Sequence, residues 1–207
     1  MTLEALPPVP RLIDGPDDAP ATVLLAHGAG APMDSPFMAA IAGGLAEKGW
    51  YVVCFEFPYM ARMRETGRRQ GPDRMPQLQE TFREQVRLER ATWPERPLFI
   101  GGKSMGGRVA SLLIDELAAT DGVKGCLCLG YRFQPPGKPL TLQGERDTFG
   151  KREEVESYAL SPRVQVEWIA SGDHSFKPTK SSGLSEAENW ATAIDRCDGF
   201  LRQLLNP

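Results

Sequence analysis

The run Leu98-Phe99-Ile100-Gly101-Gly102-Lys103-Ser104-Met105-Gly106-Gly107 passes from apolar residues into a glycine-rich turn and out into a helical pattern. Residues 98–101 read as a strand buried on both faces, and residues 105–119 as the helix that follows it. Between them, Gly102-Lys103-Ser104-Met105-Gly106 matches G-x-S-x-G. Chance produces such a match in about one chain in ten of this composition, so the letters alone carry little. Their position carries more. In a sharp strand-to-helix turn, side chains two residues either side of the serine collide, which explains glycine at both places. The hydroxyl is then raised above a sheet at a helix N-terminus, whose dipole favours developing negative charge. A glycine-rich turn capped by serine is the blander reading. A phosphate-binding loop, suggested by Gly102-Lys103-Ser104, needs a glycine where Pro97 stands, and the strand leaves no loop to wrap a phosphate.

Outward from this turn the same alternation repeats. Further strands are read at residues 22–26, 51–55, 123–129, 140–143 and 164–170, mostly unbroken runs of Val, Ile, Leu, Phe or Cys. Helical spacing fills the gaps at 37–48, from Pro76 through Leu88, and at 187–205. This predicts an α/β fold: a three-layer sandwich around a doubly wound, mainly parallel sheet of about six strands. Residues 22–26 should be central with 51–55 beside them, in the order 2-1-3-4-5 extended by one. At most one brief strand is expected near residues 11–13. No segment is long enough for a cap domain, and no repeat or linker divides residues 1–207, so one domain is expected after a proline-rich segment at 1–20.

Composition agrees. Of 207 residues, 41% are apolar and 25% charged, as in ordinary soluble domains. The net charge of −3 offers no basic surplus for nucleic acid or anionic membrane. No apolar run approaches the roughly 18–20 residues that span a bilayer, and residues 1–20 lack the pattern of a signal peptide. A cytoplasmic address follows. The four cysteines lie in apolar strand-like runs or a helix and read as buried thiols, and with only two histidines in the chain no metal site is expected.

A serine nucleophile needs a base. His174, in Ser171-Gly172-Asp173-His174-Ser175 after the last strand, lies at the same sheet edge as Ser104. His27 opens His27-Gly28-Ala29-Gly30-Ala31 after the first strand, where glycines let backbone N–H groups point inward as in an oxyanion hole. A histidine there braces the loop, so His174 is the candidate base. Gln143-Gly144-Glu145-Arg146-Asp147 supplies the orienting acid. Asp147 lies further into the loop, whereas Glu145 pairs with Arg146 or faces water. Asp173 adjoins His174, and neighbours in a turn rarely face each other well. The order Ser104, Asp147, His174 is nucleophile, acid, base.

These stretches, with Phe55-Glu56-Phe57-Pro58-Tyr59-Met60 and Leu25-Ala26 before His27, resemble the α/β-hydrolase superfamily over nearly the whole chain. The chain looks most like a small dienelactone-hydrolase-related family whose relatives include a testis-expressed protein and a chromatin-complex subunit. Dienelactone hydrolases proper use cysteine where Ser104 stands, so the resemblance implies hydrolase chemistry without that particular substrate. It also implies oxyanion donors at the backbone N–H groups of Met105 and Ala29, with Gly30 nearby, and acyl transfer through an acyl-enzyme. Relatives carry a longer segment where this chain passes from Gln134-Pro135-Pro136-Gly137-Lys138-Pro139 into Leu140. Either the chain is trimmed there, or a step well beyond the usual ~3.8 Å between Cα atoms at 136–141 marks a break.

The substrate is expected to be a small ester, thioester or related acyl compound, with no cofactor. Met33, Phe37, Tyr59, Met105, Tyr131, Phe133 and Phe149 are candidate pocket residues, each also explicable as plain packing. Arg62, Arg64, Arg68, Arg69 and Arg74 crowd residues 59–74; five arginines could attract an anionic substrate or partner, and a solvated loop is the blander reading. The alternative to an enzyme is an interaction module that keeps the fold. Such a module would have no need of all three of Ser104, Asp147 and His174.

Overall fold

In the computed structural model, which describes residues 9–131 and 139–206, seven strands form one sheet. In chain order they are β1 (Arg11–Asp14), β2 (Thr22–Ala26), β3 (Tyr51–Phe55), β4 (Leu98–Lys103), β5 (Gly125–Leu129), β6 (Pro139–Gly144) and β7 (Gln165–Ile169). Their order across the sheet is β1-β3-β2-β4-β5-β6-β7. The six from β3 to β7 are mutually parallel, and β1 alone runs antiparallel, against β3. The sheet thus holds one strand more than the six read from periodicity. The seventh is the short Arg11–Asp14 edge, the one brief strand expected near residues 11–13; its Leu12 and Ile13 stay exposed.

Helices α1 (Pro36–Glu47) and α6 (Glu186–Leu205) cover one face, and α3 (Met75–Thr92) and α4 (Met105–Thr120) cover the other. Along β2, Val23 and Leu25 enter the core beneath α1 and α6, while Leu24 and Ala26 enter the core beneath α3 and α4. Both faces are dry, which is why the strand reads as continuous apolar sequence. Local chemistry sets the ends. Proline opens α1. Ser185 Oγ accepts from the Glu188 N–H at 3.2 Å, and Glu188 answers by accepting from the Ser185 N–H at 2.7 Å, a capping box that starts α6.

Two further helices escaped the periodicity. α2 (Pro58–Thr66) occupies the first half of the stretch read as a solvated arginine loop. It begins at a proline and ends at Gly67, whose φ of 66° closes the helix C-terminus. Only Tyr59 and Met60 of its nine residues are buried, so its apolar stripe is too narrow to read. α5 (Arg152–Glu156) is a single turn that buries Val155 alone. Most of the 136–141 junction, and Phe133, lie outside the described residues. Among those described, no helix is long and apolar enough to cross a membrane. All four cysteines are free and buried, and burial pushes the Cys54 and Cys197 thiols up to about 12.

Candidate active site

Ser104 stands between β4 and α4 with φ 50° and ψ −107°, a backbone region that a side chain rarely occupies. The close packing around the turn explains its glycines. A Cβ on Gly102 or on Gly106 would collide with the Ala26 carbonyl, and one on Gly107 would stand 2.7 Å from the Gly102 carbonyl. The Ser104 N–H donates to the Leu129 carbonyl at 2.9 Å, which ties the turn to the end of β5. Met105 opens α4, so its N–H has no acceptor within the helix.

On the neighbouring loops, Asp147 and His174 meet. Asp147 follows β6 and is fully buried; its Oδ2 lies 2.7 Å from His174 Nδ1. The same Oδ2 accepts from Gln143 Nε2 at 2.8 Å, and Oδ1 accepts from the Phe149 N–H at 2.9 Å. Gln143 is itself fixed, because its Oε1 accepts from the Tyr131 N–H at 2.7 Å. The carboxylate is therefore held from three sides, with one oxygen aimed at the imidazole. The Phe149 ring stands edge-on to the His174 ring with centroids 4.8 Å apart. Hydrogen bonds among the described residues engage His174 through its ring Nδ1 and its backbone carbonyl, and none joins Ser104 Oγ to Nε2.

The other two acids turn elsewhere. Glu145 accepts from the Ser171 N–H at 2.8 Å and from Arg152 at 2.9 Å, so its cation is Arg152 rather than the adjacent Arg146. Arg146 instead donates to the Ser171 and Lys177 carbonyls. Asp173 Oδ1 accepts from the N–H groups of Ser175 and Lys177, which shapes the turn carrying His174.

His27 has neither ring nitrogen to spare. Nδ1 lies 2.7 Å from the Gly28 carbonyl, and Nε2 accepts from the Phe57 N–H at 3.1 Å. Burial depresses its pKa below the ordinary 6.5, in keeping with a neutral bracing ring. Behind the 27–31 loop, the Tyr59 hydroxyl donates to the Ala29 carbonyl at 3.0 Å. Arg64 donates to fully buried Glu56 at 2.5 Å and to Asp34 at 2.8 Å, tying α2 to the end of β3 and to the chain beyond the loop. Arg62 pairs with Asp73 at 2.6 Å. Two of the five arginines thus serve internal pairs.

Gly28, Ala29, Gly30, Ala31, Phe37, Met38, Ser104, Phe149, His174 and Ser175 line one cavity of about 380 Å³, within the range that holds small ligands. Of the pocket residues read from sequence, Phe37 and Phe149 stand on this wall. Tyr59 and Tyr131 do not. Both are fully buried, Tyr59 under the 27–31 loop and Tyr131 with its hydroxyl 2.8 Å from Ser111 Oγ on α4. Met33 lines a separate cavity beside β1, and Met105 packs into the core beneath α4. Tyr59 in the first turn of α2 and Tyr131 just past β5 both turn into the core, which no residue spacing reveals. Gln143, a polar residue in a buried strand, went unread although its position is itself a signal. No cluster of three or more His, Cys, Asp or Glu side chains suited to a metal occurs among the described residues.

Known proteins share this arrangement of strands and turns. A serine hydrolase homologue from Coxiella burnetii superposes with a TM-score of 0.68 at 19% identity, covering 90% of each chain. A serine hydrolase without a lid from Xanthomonas campestris gives 0.67 at 19% identity over 91% of this chain and 88% of its own. Dienelactone hydrolase from Anabaena variabilis gives 0.66 at 17% identity over 90% and 89%. At those identities the likeness is one of fold. In sequence, the family described as the alpha/beta hydrolase domain matches residues 19–202. The chain belongs to the alpha/beta hydrolase family.

Proposed function

We propose that the protein is a serine hydrolase that cleaves a small ester, thioester or related acyl compound through Ser104, His174 and Asp147. The observation that carries this reading is the buried Asp147 carboxylate, 2.7 Å from Nδ1 of His174, whose ring lines the same cavity as Ser104. Asp147 holds the proton on Nδ1 and leaves Nε2 as the basic nitrogen facing the cavity. Ser104 Oγ attacks the acyl carbon while Nε2 takes its proton. The carbonyl oxygen becomes an oxyanion, received by the N–H groups of Met105 and of Ala29 or Gly30. His174 then gives its proton to the leaving group. Water enters, loses a proton to the same nitrogen, and releases the acid.

The names of the structural neighbours favour the same class, since serine hydrolases and a dienelactone hydrolase are among them. Within that class we assign the chain to the small dienelactone-hydrolase-related family, with serine in place of cysteine. Four buried thiols with no disulfide fit a reducing, cytoplasmic setting. Phe37, Met38 and Phe149 on the cavity wall suit an apolar acyl or aryl group. Hydrolysis of p-nitrophenyl esters of graded chain length, beside a thioester, tests the reading. Turnover that Ser104→Ala abolishes supports it, and turnover that survives Ser104→Ala refutes it.

A further inference from the structure

Lys103, the residue before Ser104, has no part in the chemistry above, yet it is buried beside it with 8% of its surface exposed. Its ammonium donates to the His174 backbone carbonyl. Nζ stands 5.0 Å from the centre of the Phe37 ring and 5.8 Å from that of Phe176. Gly130, after β5, makes the room. Its φ of 61° suits glycine, and a Cβ there would lie 2.5 Å from Lys103 Nζ, 3.3 Å from His174 Nδ1, and in collision with the His174 carbonyl. The ammonium and the imidazole are therefore neighbours across a missing side chain.

Burying an ammonium is costly unless something pairs with it, and methionine would fill the same volume without that cost. A purely packing role thus gives no reason for lysine. We propose that Lys103 is a positioning residue for the base: its ammonium grips the His174 carbonyl from behind and fixes where the imidazole stands relative to Ser104. The proposal rests on the serine-hydrolase reading for its consequence in turnover, but its geometric content does not.

The titratable groups that face Lys103 are Asp147 after β6 and Asp173 and His174 after β7; Phe37 of α1, Phe176, Gly28 and Gly130 bring no charge. Burial lowers the lysine pKa to about 8, and the Asp147 and Asp173 charges oppose that fall. The ammonium is present below that pH and becomes an amine above it. A charged donor binds a carbonyl more strongly than a neutral one. The grip should therefore slacken as pH rises through about 8.

The test compares the parent with Lys103→Met and Lys103→Gln, the second keeping a donor without the charge. Misplacing a reacting group by about 1 Å can cost about a hundredfold. Lys103→Met should slow fluorophosphonate labelling of Ser104 by roughly tenfold to a hundredfold, lowering kcat with little change in KM and no fall in Tm. Lys103→Gln should fall between it and the parent. The parent should lose turnover above pH 8, and Lys103→Met should lack that limb. Labelling at the parent rate in Lys103→Met, or the same alkaline limb, overturns the proposal. If the parent neither labels nor hydrolyses esters, the hydrolase reading fails and the ring signals of the two histidines decide the proposal by NMR. His174 signals that step near pH 8 in the parent but not in Lys103→Met support it. His174 signals that are the same in the parent and in Lys103→Gln at neutral pH overturn it.

Discussion

Two histidines stand on two loops at the same edge of the sheet, and the protein treats them oppositely. His27 is fully buried, with backbone groups on both ring nitrogens. His174 keeps a quarter of its side chain exposed and commits only Nδ1 of its ring, to a carboxylate. The difference is one of partners. A backbone carbonyl and a backbone N–H make His27 a neutral clip between two loops. A carboxylate on one side and a cavity on the other give His174 the surroundings that the proposed base needs. Residue type does not separate the two; the second ring nitrogen does.

That contrast breaks most readily at turnover. Ser104→Ala and His174→Ala should each lower kcat by at least about a thousandfold, because the residues act as a unit. His27→Gln should leave turnover per folded molecule within about tenfold of the parent. Equal losses at the two histidines, read from ester hydrolysis, would erase the distinction. Next in size is Asp147→Ala, whose loss should be smaller than that of Ser104→Ala by about tenfold or more, since the carboxylate orients and stabilises without bonding to substrate.

Smaller effects fall on stability. His27→Gln takes away the ring nitrogen that accepts from the buried Phe57 N–H, and Gln143→Leu the amide oxygen that accepts from the Tyr131 N–H. Each should cost about 1–3 kcal/mol in a denaturant titration. Gln143→Leu should also lower kcat, because Asp147 loses a donor, whereas His27→Gln should not. The smallest effect is in acid. Burial depresses the His27 pKa, so the unfolded chain takes up a proton there at a higher pH than the folded one. Stability present above about pH 6.5 is then lost as pH falls through the folded value. The fall in Tm over that range should be shallower in His27→Gln.

How much of this was legible follows from what each element hides from water. β2, β3 and β4 are dry on both faces and write unbroken apolar runs, so their positions and order could be read. The Ser104 turn could be read too, because glycine at 102 and 106 answers a collision with the Ala26 carbonyl that any such turn creates. α2 could not, because it buries two residues and spends Arg62 and Arg64 on ion pairs rather than on an apolar stripe. Tyr59 and Tyr131 misled for a related reason. Tyr59 sits in the first turn of α2 and Tyr131 just past β5, and only the path of the backbone decides whether such a side chain faces the cavity or the core. Lys103 was visible only as a letter in a rejected phosphate motif. Its significance depends on His174 and Gly130, which lie 71 and 27 residues further along the chain.

The central claim is that Ser104 is a nucleophile activated by His174, and covalent trapping tests it most directly. The protein treated with a fluorophosphonate should gain the mass of one adduct, and peptide mapping should place it on Ser104. His174→Ala should react at least about a thousandfold more slowly, and His27→Gln at close to the parent rate. An adduct on a different serine, or labelling that survives His174→Ala undiminished, would contradict the account.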